Sequence, residues 1–104
     1  MLGFLLVFCT CPSEEEAVRL AHALVERRLA ACVNILPPIQ STYRWNGSVQ
    51  TASEYLLLMK TTEERFDALR DAITGMHSYD TPEVMGVPVT EGTEKYLSWV
   101  RESV

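Results

Sequence analysis

Two apolar rhythms alternate along this chain: short unbroken runs of strand length, and stripes that recur every three or four residues. Leu2 to Thr10 is a continuous apolar run, read as a strand. Pro12-Ser13 then opens a helix in which Ser13 and Glu16 form a capping box and Ala17, Leu20, Ala21, Leu24 and Val25 make an apolar stripe. That helix is expected to end near Leu29. Ala31 to Trp45 reads as a long strand interrupted at Pro37-Pro38, where two missing amide donors demand a bulge or an edge. Asn46-Gly47 is a hairpin signal, because both residues tolerate the positive φ of a type I′ turn. The return strand runs from about Ser48 to Lys60. Thr61 with Glu64 reads as a second capping box, and Phe66, Leu69, Ile73 and Met76 line one face of the helix that follows. Val84 to Val89 is a fourth strand, with Pro88 placing it at an edge or near its end. Gly92-Thr93 starts a short terminal helix expected to bury Tyr96, Leu97 and Val100.

The order β-α-β-β-α-β plus a terminal helix is the split βαβ, or ferredoxin-like, pattern of an α+β protein. At 104 residues, 1–104 forms one domain. Right-handed crossovers put both long helices on one face of an antiparallel sheet and leave the other face bare. Yet Leu5-Leu6-Val7-Phe8 and Leu56-Leu57-Leu58-Met59 are apolar at successive positions, which point to opposite faces. A bare apolar sheet face is a large adhesive patch, so an obligate oligomer is expected.

Composition narrows the partners. A net charge of −5 and a pI near 4.9, with scattered basic residues, exclude a nucleic-acid surface. The apolar opening is too short to span a bilayer, so no membrane role is expected. It lacks a basic leader and a small-residue cleavage pattern and runs straight into Cys9-Thr-Cys11-Pro12 and three glutamates. It is read as a buried strand of a cytoplasmic protein, and three cysteines in such a chain are read as free thiols. No phosphate loop, nucleophile elbow or H-E-x-x-H is present, and the chain is not expected to be an enzyme.

The candidate chemistry lies in His77-Ser-Tyr79-Asp-Thr-Pro82-Glu83, a connector holding one of two histidines and two carboxylates. Strand four lies beside strand one in this topology, so the connector should meet Cys9 and Cys11 at one rim of the sheet. Thiolate, imidazole and carboxylate converging there suit copper or zinc, soft sulfur favouring Cu(I). Either cysteine also fits a small core hydrophobe, and Pro12 makes a shared orientation of the two doubtful. Cys32 reads as packed in strand two, and His22 has no assigned role. A Cys9–His77 pair lacks an orienting group and oxyanion donors for nucleophilic catalysis. Tyr43 and Trp45, near the hairpin tip, are assigned to subunit contacts.

Several words of the sequence, in order, carry a specific resemblance. They are Cys9-Thr with Pro12, Leu29-Ala-Ala-Cys32-Val-Asn34-Ile35, Ser41-Thr-Tyr43-Arg-Trp45-Asn-Gly47, Glu54 with Lys60-Thr61, His77-Ser-Tyr79-Asp-Thr-Pro82-Glu83, and Tyr96-Leu-Ser-Trp99. Across nearly its whole length the chain resembles the CutA family of divalent-cation tolerance proteins. The resemblance implies a homotrimer with hairpin strands pairing between subunits, a link to copper tolerance, and metal ligands at Cys9, His77 and Glu83. Two positions depart from the family pattern: Met76 stands where some relatives have a second histidine, and Ser78 where proline is usual. A different reading, by analogy of fold and trimeric form, is a signalling trimer that binds a small effector between subunits.

Overall fold

Strand β1 (Phe4–Cys11) alternates between two environments: Val7, Cys9 and Cys11 are fully buried, Leu6 and Phe8 only partly. The computed structural model describes residues 3–104, so the expected strand start at Leu2 lies outside the described residues. β1 pairs antiparallel with β4 (Ser48–Thr62) on one side and β5 (Met85–Val89) on the other. β2 (Cys32–Ile35) and β3 (Ile39–Trp45) also pair antiparallel with β4, giving the order β2-β4-β1-β5 with β3 along the outer half of β4. Helices α1 (Glu14–Glu26) and α2 (Phe66–Met76) cover the Val7 face. Leu20, Leu24, Leu69 and Ile73 close there over Val7, Cys9, Leu57 and Met59. The terminal helix is α3 (Glu94–Ser103). This is the expected α+β, ferredoxin-like arrangement.

Local chemistry explains most boundaries. The Pro37-Pro38 interruption is a bulge: Leu36 N–H bonds to the Leu56 carbonyl and Ile39 pairs with Glu54, so both prolines oppose Tyr55 alone. Asn46 (φ 49) and Gly47 (φ 79) make the tight turn, closed by the Trp45–Ser48 pair. Helix α1 ends sooner than its stripe suggests, because Arg28 turns into the left-handed region (φ 59) while Leu29 and Ala30 donate back to the Leu24 carbonyl.

Three local expectations give way. Thr61 is still in β4 and fully buried, and its hydroxyl donates to the Leu29 carbonyl at 2.7 Å. It makes no capping box with Glu64; a 3₁₀ turn, Glu63–Arg65, leads into α2 instead. At α1 only half of the box forms: Ser13 Oγ accepts from Glu16 N–H at 3.2 Å, while the Glu16 carboxylate points elsewhere. In α3 Val100 is buried and Leu97 partly so, but Tyr96 is exposed beside Trp99.

The second sheet face is only partly covered in the single chain. Phe8 aligns with Leu58 and Met85, and Leu6 with Lys60 and Val87, so these side chains share that face. Met85 is 57% and Val87 41% exposed. Beyond them the β3–β4 hairpin projects, with Tyr43, Trp45 and Val49 exposed, which accounts for a long axis of 44 Å against 25 and 24 Å.

Candidate metal centre

Pairing of β1 with β5 carries the connector after α2 to the end of β1, as the topology requires. Strand β1 persists through Cys11, which still pairs with Tyr55, so Pro12 does not disturb the orientation of the two thiols. Being two apart on one strand, Cys9 and Cys11 face the same side, inward. His77 caps the C-terminus of α2 and turns its ring onto them. The Cys11 Sγ lies 3.8 Å from His77 Nε2, across 66 positions of sequence. One donor atom from each of Cys9, Cys11 and His77 falls within 4.8 Å of the other two, and all three are buried.

The imidazole is held at both nitrogens. Its Nε2–H donates to the Thr10 carbonyl at 2.8 Å, and Tyr79 N–H donates to Nδ1 at 3.0 Å. A neutral ring with its proton on Nε2 satisfies both bonds. Behind it stands Glu16, whose carboxylate lies 3.3 Å from Nδ1 and accepts Ser78 N–H at 3.0 Å. Burial alone would raise the Glu16 pKa, but the Ser78 hydrogen bond, helped by the charge of Arg19, holds it below the ordinary carboxylate value. Next to this pair, the Tyr79 ring packs against His77, tilted by 40° with centroids 4.8 Å apart, and donates its hydroxyl to Glu54 Oε2 at 2.8 Å. Burial and that carboxylate push the Tyr79 phenol above its usual range.

The two thiols differ. Their mutual hydrogen bond, then burial, raises the Cys9 pKa, and the thiol also donates to the Thr10 carbonyl at 3.7 Å. The same mutual bond lowers that of Cys11, which is the more readily ionised sulfur. Two sulfurs and an imidazole nitrogen converging in a buried corner form a donor set for a soft metal ion.

Of the residues singled out from sequence, Cys9 and His77 meet at the rim, together with Cys11. Glu83 is exposed and does not fall within that group of donor atoms. Cys32 lies away on β2, 3.8 Å from Lys60 Nζ, and His22 is exposed on α1. Tyr43 and Trp45 stand on the projecting hairpin. Glu16 is the residue that sequence reasoning misplaced, since its cap position was visible and its contact with Ser78, 62 positions away, was not. The orienting group that the Cys–His pair lacked on paper is this carboxylate.

Fold and rim together define a small ferredoxin-like protein with a thiol–imidazole cluster at one sheet edge. The chain belongs to the CutA1 divalent ion tolerance protein family, whose sequence model matches residues 5–103. It is 50% identical over 97 residues to the divalent-cation tolerance protein CutA of Thermus thermophilus, covering 93% of this chain and 94% of that one. It is 43% identical over 99 residues to the chloroplastic protein CutA of Arabidopsis thaliana, covering 95% of this chain but 54% of that longer protein. The solved Thermus thermophilus structure superposes with a TM-score of 0.95 at 48% identity, over 96% of this chain and 97% of that one. That of the periplasmic divalent cation tolerance protein CutA of Archaeoglobus fulgidus gives 0.94 at 41% identity, over 96% and 97%.

Proposed function

We propose that this chain is a homotrimeric, non-catalytic protein of metal homeostasis. In this reading it binds copper or a related ion at the rim through Cys9 and His77, with Glu83 near its mouth. The observation that carries the reading is the convergence of the Cys9 and His77 donor atoms within 4.8 Å. Membership of a family named for divalent-cation tolerance supports the same chemistry. The open Leu6–Phe8–Met85 face and the projecting Tyr43–Trp45 hairpin support assembly, since a partly exposed apolar sheet face gains by association. A trimer paired through its hairpins buries both.

Absence of catalysis is part of this reading, because the sequence carries no phosphate loop, nucleophile elbow or H-E-x-x-H. Among the described residues no helix is long and apolar enough to cross a membrane. Relatives carry names that place them in the periplasm or the chloroplast. The cytoplasm is our assignment for this chain, because a reducing compartment preserves three free thiols.

The test is a Cu(I) titration of the purified protein against a competing chelator, with oligomer mass recorded in the same samples. One ion per subunit of a trimer is expected, and loss of that uptake in a Cys9→Ser/His77→Ala double variant. Unchanged affinity in the double variant would remove the rim from consideration.

A further inference from the structure

We infer that Cys11, rather than Glu83, completes the inner ligand set, so that the rim offers two sulfurs and one nitrogen to monovalent copper. This rests on the metal-binding function proposed for the rim.

Span is the first argument. Bonds of about 2.3 Å to sulfur and about 2.0 Å to nitrogen, at angles between tetrahedral and trigonal, set donors about 3.5–4.0 Å apart. The Cys11 Sγ to His77 Nε2 separation is 3.8 Å, and the whole three-atom group lies within 4.8 Å. Only small side-chain movements are needed to close on an ion. Glu83 is exposed, in the segment that precedes β5, and stands outside the group.

Donor count and softness select the ion. Among the described residues no fourth histidine, cysteine or carboxylate joins the three. Structural zinc sites take four protein ligands, whereas thiolates are the donors that favour Cu(I). A buried corner with two sulfurs and one nitrogen therefore suits Cu(I) better than a divalent ion that demands a further oxygen or water.

The surroundings of His77 suit Nε2 as the ligand atom. Ligation there moves the ring proton from Nε2 to Nδ1 and gives up two neutral hydrogen bonds, the one to the Thr10 carbonyl and the one from Tyr79 N–H. The ring then carries its proton on Nδ1, which faces Glu16 Oε2 at 3.3 Å. A carboxylate behind the imidazole is the usual support of a metal-bound histidine, fixing ring orientation and raising ligand basicity. Ser78 N–H holds that carboxylate in place.

The test uses the full chain loaded anaerobically with Cu(I). X-ray absorption at the copper edge counts the ligands, and chelator competition gives affinity for the wild type and for Cys11→Ala, Cys11→Ser, Cys9→Ala, His77→Ala and Glu83→Gln. Two sulfurs and one nitrogen are expected in the wild type, and one sulfur fewer in Cys11→Ser. Removing a supporting group behind a ligand costs about 10–100-fold in affinity, so removing Cys11 itself should cost at least about tenfold. Glu83→Gln should change affinity less than about twofold. A single sulfur in the wild type overturns the inference even if the Cys11 variants misfold. So does a Cys11→Ser protein that keeps full affinity, or a tenfold loss in Glu83→Gln. If Cys9→Ala and His77→Ala lose copper while Cys11→Ser does not, only the inference fails. If no variant changes uptake, the proposed function fails with it.

Discussion

Replacing Glu16 by glutamine keeps the length and shape of the side chain and removes one negative charge from behind the His77 connector. The Glu16 side chain is 9% exposed, so solvent screens little of its interaction with Ser78 N–H and His77. A hydrogen bond to a charged group contributes about 1.5–3 kcal/mol and a neutral one about 0.5–1.5, so the substitution should cost about 1–1.5 kcal/mol. For a chain of this size that lowers Tm by roughly 4–12 °C, read by calorimetry at pH 7 and fixed protein concentration. Double-mutant cycles then locate the partner. Ser13→Ala should cost about 1 kcal/mol by itself, as loss of an N-cap does. Its coupling to Glu16→Gln should stay under about 0.5 kcal/mol, because the two side chains do not bond each other. Coupling between Glu16→Gln and His77→Ala should exceed that value. The opposite order, with the larger coupling to Ser13, would restore the reciprocal capping box and refute the placement of the Glu16 carboxylate against Ser78 and His77.

Three further outcomes are expected. Because Glu16 is held below the ordinary carboxylate value, it stabilises the fold above its unfolded pKa of about 4.3. That contribution disappears as pH falls through the lower folded value, so acid unfolding should be steeper in the wild type than in Glu16→Gln. Thr61→Val removes a buried 2.7 Å bond and strands the Leu29 carbonyl, which should cost about 1–3 kcal/mol in denaturant titrations. Gly47→Ala meets no neighbouring atom but must hold φ near +79, so chemical unfolding should show a loss of about 1–2 kcal/mol from backbone strain alone.

The order of elements was readable because each carries a local signal: the Ser13 cap, the Pro37-Pro38 interruption, the Asn46-Gly47 turn and the apolar stripe of α2. Two signals misled for physical reasons. Thr61 followed by Glu64 matches a capping box, but burial in β4 recruits its hydroxyl to the Leu29 carbonyl before any helix begins. Tyr96 fits an amphipathic stripe, yet it stays exposed with Trp99 as its ring neighbour. At the rim, topology alone predicted that β1 and the connector would meet. Which side chains converge there depended on whether β1 continued to Cys11, and Pro12 obscured that. Glu16 was hidden for a different reason: local periodicity places it on α1, and nothing local reveals a bond to Ser78.

Strand β4 runs without interruption for 15 residues, from the tip of the projecting hairpin to the far edge of the core. Along the way it pairs with β3, supplies Glu54 to Tyr79, sets Tyr55 beside Cys11, and continues between β1 and β2. The Pro37-Pro38 bulge opposite Tyr55 falls at the level of the thiol rim. The strand that pairs with the Tyr43–Trp45 arm of the hairpin is thus the same unbroken backbone that lies beside Cys11.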